Sequence, residues 1–366
     1  MSSQDKKSKS EELGIVEARV SPEIREISPY HVPAIDCKIK LDGNESPFEL
    51  SNSVKSKVEK AISDLAIHRY PDPEAHKLIE LISKVTEFSK DGILLGNGSD
   101  ELIGMLITTL ANGSGKILCP SPTFSMYKLT GLAMGAEVIE IPLDDKFDID
   151  LDETLSIIEE NDPDLIFLAS PNNPTGNMYN AGKITEIISA AKGIVVVDEA
   201  YSDFSGYTFL PLVKECENLI ILRTLSKVGF AGLRIGILFA REQIAKEINK
   251  VRYPYNINSL SQSAAEVVLD DHEFVTENIQ LIIKERERVF SAMLELDDLT
   301  AYPSDANFIF FKAQDADMLF NELVKRDILI RNFNRPGRLE NCMRVTIGTP
   351  NENDAFLTAL KQILSS

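Results

Sequence analysis

The chain has 366 residues, 43% of them hydrophobic, which exceeds what one small domain needs and suits a large domain with a smaller companion. A formal net charge of −19, from 38 Lys and Arg against 57 Asp and Glu, argues against the phosphate-backbone binding that nucleic acid requires. No apolar run reaches the length of a bilayer span, and the polar start has no apolar stretch behind its lysines, which argues against a secretory signal.

In chain order, residues 1–26 are expected to form a flexible extension and 27–45 an arm. A large domain is expected over 46–255 and a smaller α+β domain over 256–366. From residue 92 onward, short apolar runs alternate with amphipathic stretches. Strands are predicted at 93–95, 116–119, 137–141, 164–169, 194–197 and 219–222, with a Pro-rich turn at 119–123. Helices are predicted at 100–110, 151–160 and 183–192. Near-continuous apolar strands between helices predict an α/β fold of three layers, with a mostly parallel sheet covered on both faces. Ligands of such sheets bind at the loops that follow the strands' carboxyl ends. After residue 255 the pattern predicts one long helix at 259–296, strands at 307–311, 328–330 and 344–347, a helix at 316–326 and a last helix from residue 353.

The four cysteines (Cys37, Cys119, Cys216, Cys342) are scattered, with no CxxC pair, and read as reduced thiols of a cytoplasmic protein. The four histidines (His31, His68, His76, His272) are too sparse to predict a metal site.

Four motifs carry chemistry. Gly96-Asn97-Gly98-Ser99-Asp100-Glu101 lies between a strand and a helix, where backbone N–H groups bind phosphate. It is not a dinucleotide fingerprint, because Glu101 stands where the last glycine belongs. Ser170-Pro171-Asn172-Asn173-Pro174-Thr175-Gly176 follows a strand; it reads as a plain turn or as a loop aiming the Asn173 amide at a ligand, with Asn173–Pro174 a candidate cis bond. Asp198-Glu199-Ala200-Tyr201 follows an apolar strand, and an acid there can face a protonated ring nitrogen. Thr224-Leu225-Ser226-Lys227 opens a run that continues to Gly236 and contains Arg234. A Schiff-base lysine needs an anchor for its cofactor beside it, and Ser226 and Arg234 suit phosphate. Each motif alone is weak to moderate; four at successive strand ends form a strong joint signal for a pyridoxal 5'-phosphate (PLP) site.

In these motifs the chain resembles the class I and II aminotransferases, and within them the histidinol-phosphate aminotransferase branch. Leu41-Asp42-Gly43-Asn44-Glu45-Ser46-Pro47, Arg69-Tyr70-Pro71-Asp72-Pro73 and the segment around Arg344 resemble further signatures of that branch. The resemblance implies PLP bound through Lys227, which then moves the proton between the substrate α-carbon and C4′. It implies Asp198 on the pyridinium proton, and Tyr201 and Asn173 on the ring's phenolic oxygen. Phe124 would stack on the ring. Ser99, Asp100, Ser226 and Arg234 would hold the phosphate, with Tyr70 reaching in from a second subunit of a homodimer. Tyr30, Arg331 and Arg344 would hold substrate. The implied function is amino transfer between L-histidinol phosphate and 2-oxoglutarate (glutamate) in histidine biosynthesis. The alternatives in the same fold are an aromatic amino-acid aminotransferase and a phosphothreonine decarboxylase. A ligand-sensing regulator is disfavoured, since no basic nucleic-acid-binding module is apparent.

Overall fold

The apolar runs form strands β1 (Ile39–Leu41), β2 (Ile93–Asn97), β3 (Lys116–Ser121), β4 (Glu137–Pro142), β5 (Leu165–Ala169) and β6 (Ile194–Asp198), then β7 (Leu219–Thr224), β8 (Ile235–Phe239), β9 (Leu299–Ala301), β10 (Phe308–Ala313), β11 (Ile328–Asn332) and β12 (Cys342–Thr346). The structure, a computed structural model, describes residues 35–270 and 273–365 and seven positions before them (14, 19–21, 24, 25 and 27). Most of the expected flexible extension therefore lies outside the described residues.

Seven strands build the larger sheet in the order β2-β8-β7-β6-β5-β3-β4. The pairs from β7 through β6, β5 and β3 to β4 are parallel. β8 alone runs against its neighbours β2 and β7. Alternate residues of the central strands enter opposite cores: Ile166, Leu168, Val195 and Val197 face one, Leu165, Phe167 and Val196 the other. This is the burial on both faces that continuous apolar strands predict. Each fully buried side chain of this kind contributes about 1.5–3 kcal/mol, so a polar substitution on either face of these strands breaks the layer.

Three readings need correction. β3 does not turn at Cys119 but continues through Pro120 to Ser121. Pairing with β5 has ended at Leu118, so the N–H that Pro120 lacks is not needed on that side. The stretch 259–296 contains two helices, Ser259–Asp270 and Glu273–Leu294. The first packs on helices Asn52–Ser63 and His76–Thr86; the second packs on the C-terminal helix Pro350–Leu364. That last helix starts three residues before the expected 353. Thr349 and Glu352 form a reciprocal capping box, and Pro350 occupies the first helical turn.

The second sheet, β1-β11-β12-β10-β9, holds its own core, which includes Phe308, Phe311, Val345 and Phe356. β1 pairs in parallel with β11, so a strand from near the start of the chain forms an edge of this C-terminal sheet. Residues 42–45, which follow β1, and the arginines of β11 and β12 thereby face the carboxyl ends of the large sheet across one cavity.

Candidate active site

The cavity, of about 300 Å³, is lined from the large sheet by Ser99 and Asp100 after β2, Phe124 after β3, and Asn173 after β5. Asp198 and Tyr201 line it at the end of β6, Ser226 and Lys227 after β7, and Arg234 just before β8. Arg331 and Arg344 close it from the second sheet. Eleven of the thirteen residues singled out in the sequence thus surround one space. Tyr70 does not line it; the residue is 80% exposed and its ring stacks on Tyr255 with centroids 4.4 Å apart. Tyr30 lies outside the described residues.

At one end the cavity suits an anion. Gly98, at φ +79°, lets the chain turn from β2 into helix Ser99–Leu110. A Cβ there would lie 2.4 Å from Arg234 Nη2, so only glycine lets the guanidinium cross the helix start. Arg234 Nη1 donates to Ser226 Oγ at 3.4 Å. The Arg234–Asp100 ion pair at 3.3 Å has both side chains nearly half exposed, and such pairs give way readily to a better anion. A helix N-terminus, a hydroxyl and a guanidinium converge there, which is a phosphate-binding set.

At the other end Asp198 is almost fully buried (4% exposed). Tyr127 Oη donates to its Oδ2 at 2.7 Å and the Ala200 N–H donates to its Oδ1 at 3.0 Å. Burial pushes the carboxyl up to about 6; the Tyr127 bond and then the Ala200 N–H hold it down, while Asp100 and Glu199 add repulsion. No cation pairs with it among the described residues. Lys227 Nζ lies 5.7 Å from the centre of the Tyr201 ring, and no carboxylate is within ion-pair distance of it among the described residues. A buried acid lacking a cation, a lysine lacking an acid and a phosphate cup therefore share one space. Those needs match the pyridinium, the aldehyde and the phosphate of PLP, and the residues present fit that cofactor.

Two residues that sequence reasoning missed also line the cavity and support this set. Tyr127, fully buried, stacks on Phe167 and meets Phe124 edge-on. No helical period links it to Phe124, which is the extended N-cap residue before helix Ser125–Ala133, while Tyr127 lies in its first turn. Asn44, quoted only as part of a family signature, donates to Tyr201 Oη from Nδ2 at 2.9 Å.

Arg331 and Arg344 stand opposite one another in the antiparallel ladder of β11 and β12. The Phe333 ring lies near both guanidiniums, 5.9 Å from the first and 5.4 Å from the second. Arg344 Nη1 donates to Asn173 Oδ1 at 2.5 Å and Nη2 to the Asp42 carbonyl at 2.8 Å. A guanidinium only donates, so the Asn173 amide oxygen must face Arg344 and its NH₂ is left for another acceptor. Beyond the arginines a second space of about 730 Å³ shares Phe124, Asn173, Arg331 and Arg344 with the first.

A family model for aminotransferase class I and II matches residues 36–360. The chain belongs to that family. This aminotransferase is 39% identical over 346 residues to the histidinol-phosphate aminotransferase of Aquifex aeolicus, covering 94% of this chain and 97% of that one. It is similar to the solved histidinol-phosphate aminotransferase from Clostridium acetobutylicum, with TM-score 0.82 and 28% identity over 89% of this chain and 99% of that one. The histidinol-phosphate aminotransferase from Sinorhizobium meliloti, solved in complex with pyridoxal-5'-phosphate, shares its fold with TM-score 0.86 and 24% identity, over 95% of this chain and 98% of that one.

Proposed function

We propose that this aminotransferase moves the amino group between L-histidinol phosphate and 2-oxoglutarate, with PLP as cofactor. The observation that carries the substrate reading is the Arg331–Arg344 pair, opposite one another in β11 and β12 at the wall of the cavity that Lys227 also lines. Like charges opposite one another in a ladder repel, and a bound dianion removes that cost. One pocket must take a phosphate from one substrate and a carboxylate from the other, and guanidiniums bind either in two-point fashion. The names of the relatives above point to the same substrate.

The cofactor, when bound, supplies the electron sink for charge developing at the substrate α-carbon. Lys227 Nζ would move the proton between the substrate α-carbon and C4′ of the cofactor. The Asp198 carboxylate holds the proton on the ring nitrogen. Tyr201 Oη and Asn173 Nδ2 donate to the phenolic oxygen. Phe124 covers the ring face. Ser99, Asp100 through its backbone, Ser226 and Arg234 hold the phosphate, with Tyr70 of a second copy completing the cup in a homodimer. Arg331, Arg344 and Tyr30 hold the substrate's anionic ends. Among the described residues no helix is long and apolar enough to cross a membrane. The four cysteines are unpaired, which suits a reducing cytoplasm.

Steady-state assay with histidinol phosphate against phenylalanine, tyrosine and phosphothreonine tests the substrate. A kcat/KM for histidinol phosphate at least a hundredfold above the others is expected, about 3 kcal/mol of discrimination. Preference for phenylalanine or tyrosine, or carbon dioxide release from phosphothreonine, replaces it with one of the alternatives.

A further inference from the structure

We propose that Asn44 is a positioning residue that turns the Tyr201 hydroxyl hydrogen toward the cofactor cavity. The inference rests on the reading above, in which that hydroxyl donates to the cofactor's phenolic oxygen. Asn44 is 1% exposed and has left-handed backbone, φ +53°, which asparagine tolerates better than most residues. Its polar groups are all engaged. The N–H donates to Thr346 Oγ1 at 2.9 Å and the carbonyl accepts from Asn307 Nδ2 at 3.0 Å. Oδ1 accepts from Thr346 Oγ1 at 3.2 Å, and Nδ2 donates to Tyr201 Oη at 2.9 Å. The residue thus ties the arm after β1 to β12 and to the loop after β6.

The direction of the last bond decides the chemistry. Thr346 is buried, and Asn44 Oδ1 is the acceptor for its hydroxyl hydrogen. With the amide turned over, that hydrogen would have no acceptor among the described residues, which buried hydroxyls avoid. Oδ1 therefore faces Thr346, and the NH₂ faces Tyr201. A phenol oxygen carries one hydrogen and accepts through its lone pairs. Because Asn44 meets it as a donor, Tyr201 keeps its own hydrogen for another acceptor. Tyr201 lines the cavity with Lys227 Nζ 5.7 Å from its ring centre. A hydrogen bond donated onto an ionised oxygen draws in its negative charge, and a nearby proton is then held less tightly. The visible band of the bound cofactor titrates at lower pH with this bond than without it.

Asn44→Asp keeps the size and the left-handed tolerance but offers only acceptors, so it takes the Tyr201 hydrogen for itself. In absorbance titrations of the holoenzyme, Asn44→Asp and Tyr201→Phe are each expected to raise the midpoint by about one pH unit. Asn44→Asp added to Tyr201→Phe is expected to add less than about a third of that shift, because the hydroxyl it acts through is gone. The dissociation constant of the cofactor is expected to rise about tenfold in Asn44→Asp. Thr346→Val keeps Asn44 but frees its amide to turn over. It is expected to move the band the same way only while Tyr201 is present, and it serves where Asn44→Asp does not fold. An equal Asn44→Asp shift with and without Tyr201 overturns the role of Asn44, since charge alone then explains it. So does the absence of a shift in both variants while Tyr201→Phe moves the band. No shift in Tyr201→Phe itself overturns the reading of Tyr201 instead.

Discussion

Tyr127→Phe removes one hydroxyl from a buried ring and leaves its stacking on Phe167 in place. That hydroxyl donates to Asp198 Oδ2 at 2.7 Å, and it is the largest influence holding the carboxyl down against burial. Asp198 ionises at about 6 in the cofactor-free protein, against 3.8 for a free aspartate. At about 1.4 kcal/mol per pH unit, this difference costs the cofactor-free fold about 3 kcal/mol above that pH. Hydrogen bonds to charged groups contribute roughly 1.5–3 kcal/mol, so losing this one lifts the ionisation by about one to two further units. An acid raised by folding binds more protons folded than unfolded between its two pKa values, so stability falls as pH rises through that window and levels off above it. The wild-type protein should level off above about 6. The variant should go on losing stability to roughly pH 8. Urea unfolding of the cofactor-free proteins at pH 5 and pH 8 measures this. The gap between them should be small at pH 5, where both carboxyls are largely protonated, and about 2 kcal/mol at pH 8. A gap of equal size at both pH values would mean that the hydroxyl acts through packing, and would refute the electrostatic coupling.

Lys227→Ala should abolish turnover while leaving the thermal unfolding profile intact; normal turnover would remove Lys227 from the chemistry. Arg344→Ala should lower kcat/KM for both substrates by roughly tenfold to a hundredfold, the loss of a charge-assisted contact. Arg344→Lys should recover only part of this, because it keeps the charge but loses the fork that also orients Asn173. Sedimentation should show a dimer, and co-expressed Lys227→Ala and Tyr70→Ala chains should regain activity in mixed dimers, each with one site combining an intact Lys227 and an intact Tyr70. A fully active monomer, or no recovery from an assembled mixed dimer, would count against Tyr70 serving the neighbouring site.

The central parallel strands were readable because both of their faces are buried: 165–169 and 219–222 carry apolar residues at every position. β8 was equally apolar but hidden, since Ile235 and Gly236 were read as the tail of the lysine loop. Its direction against β7 depends on contacts with β2 that no local pattern records. β1 is three residues long and gives no period of its own; its partner is fixed only by the folded chain. That eleven of the singled-out residues line one cavity was legible, because phosphate, ring nitrogen and aldehyde each call for particular residue types. Two further lining residues were not. Tyr127 and Asn44 look like any core tyrosine and any turn asparagine until the side chains they touch are known.

The pairing of β1 with β11 also orders events during synthesis. Ile39 must wait for Ile328, made 289 residues later. At ordinary elongation rates that wait is roughly 15–60 s. The seven-stranded sheet is complete once Phe239 has emerged, so its side of the cavity is present well before the arm has anywhere to dock. Such long-range closure is slow and comes late. A nascent chain released before β11 and β12 therefore carries the large sheet's side of the cavity and neither arginine, and its first strand has no partner to pair with.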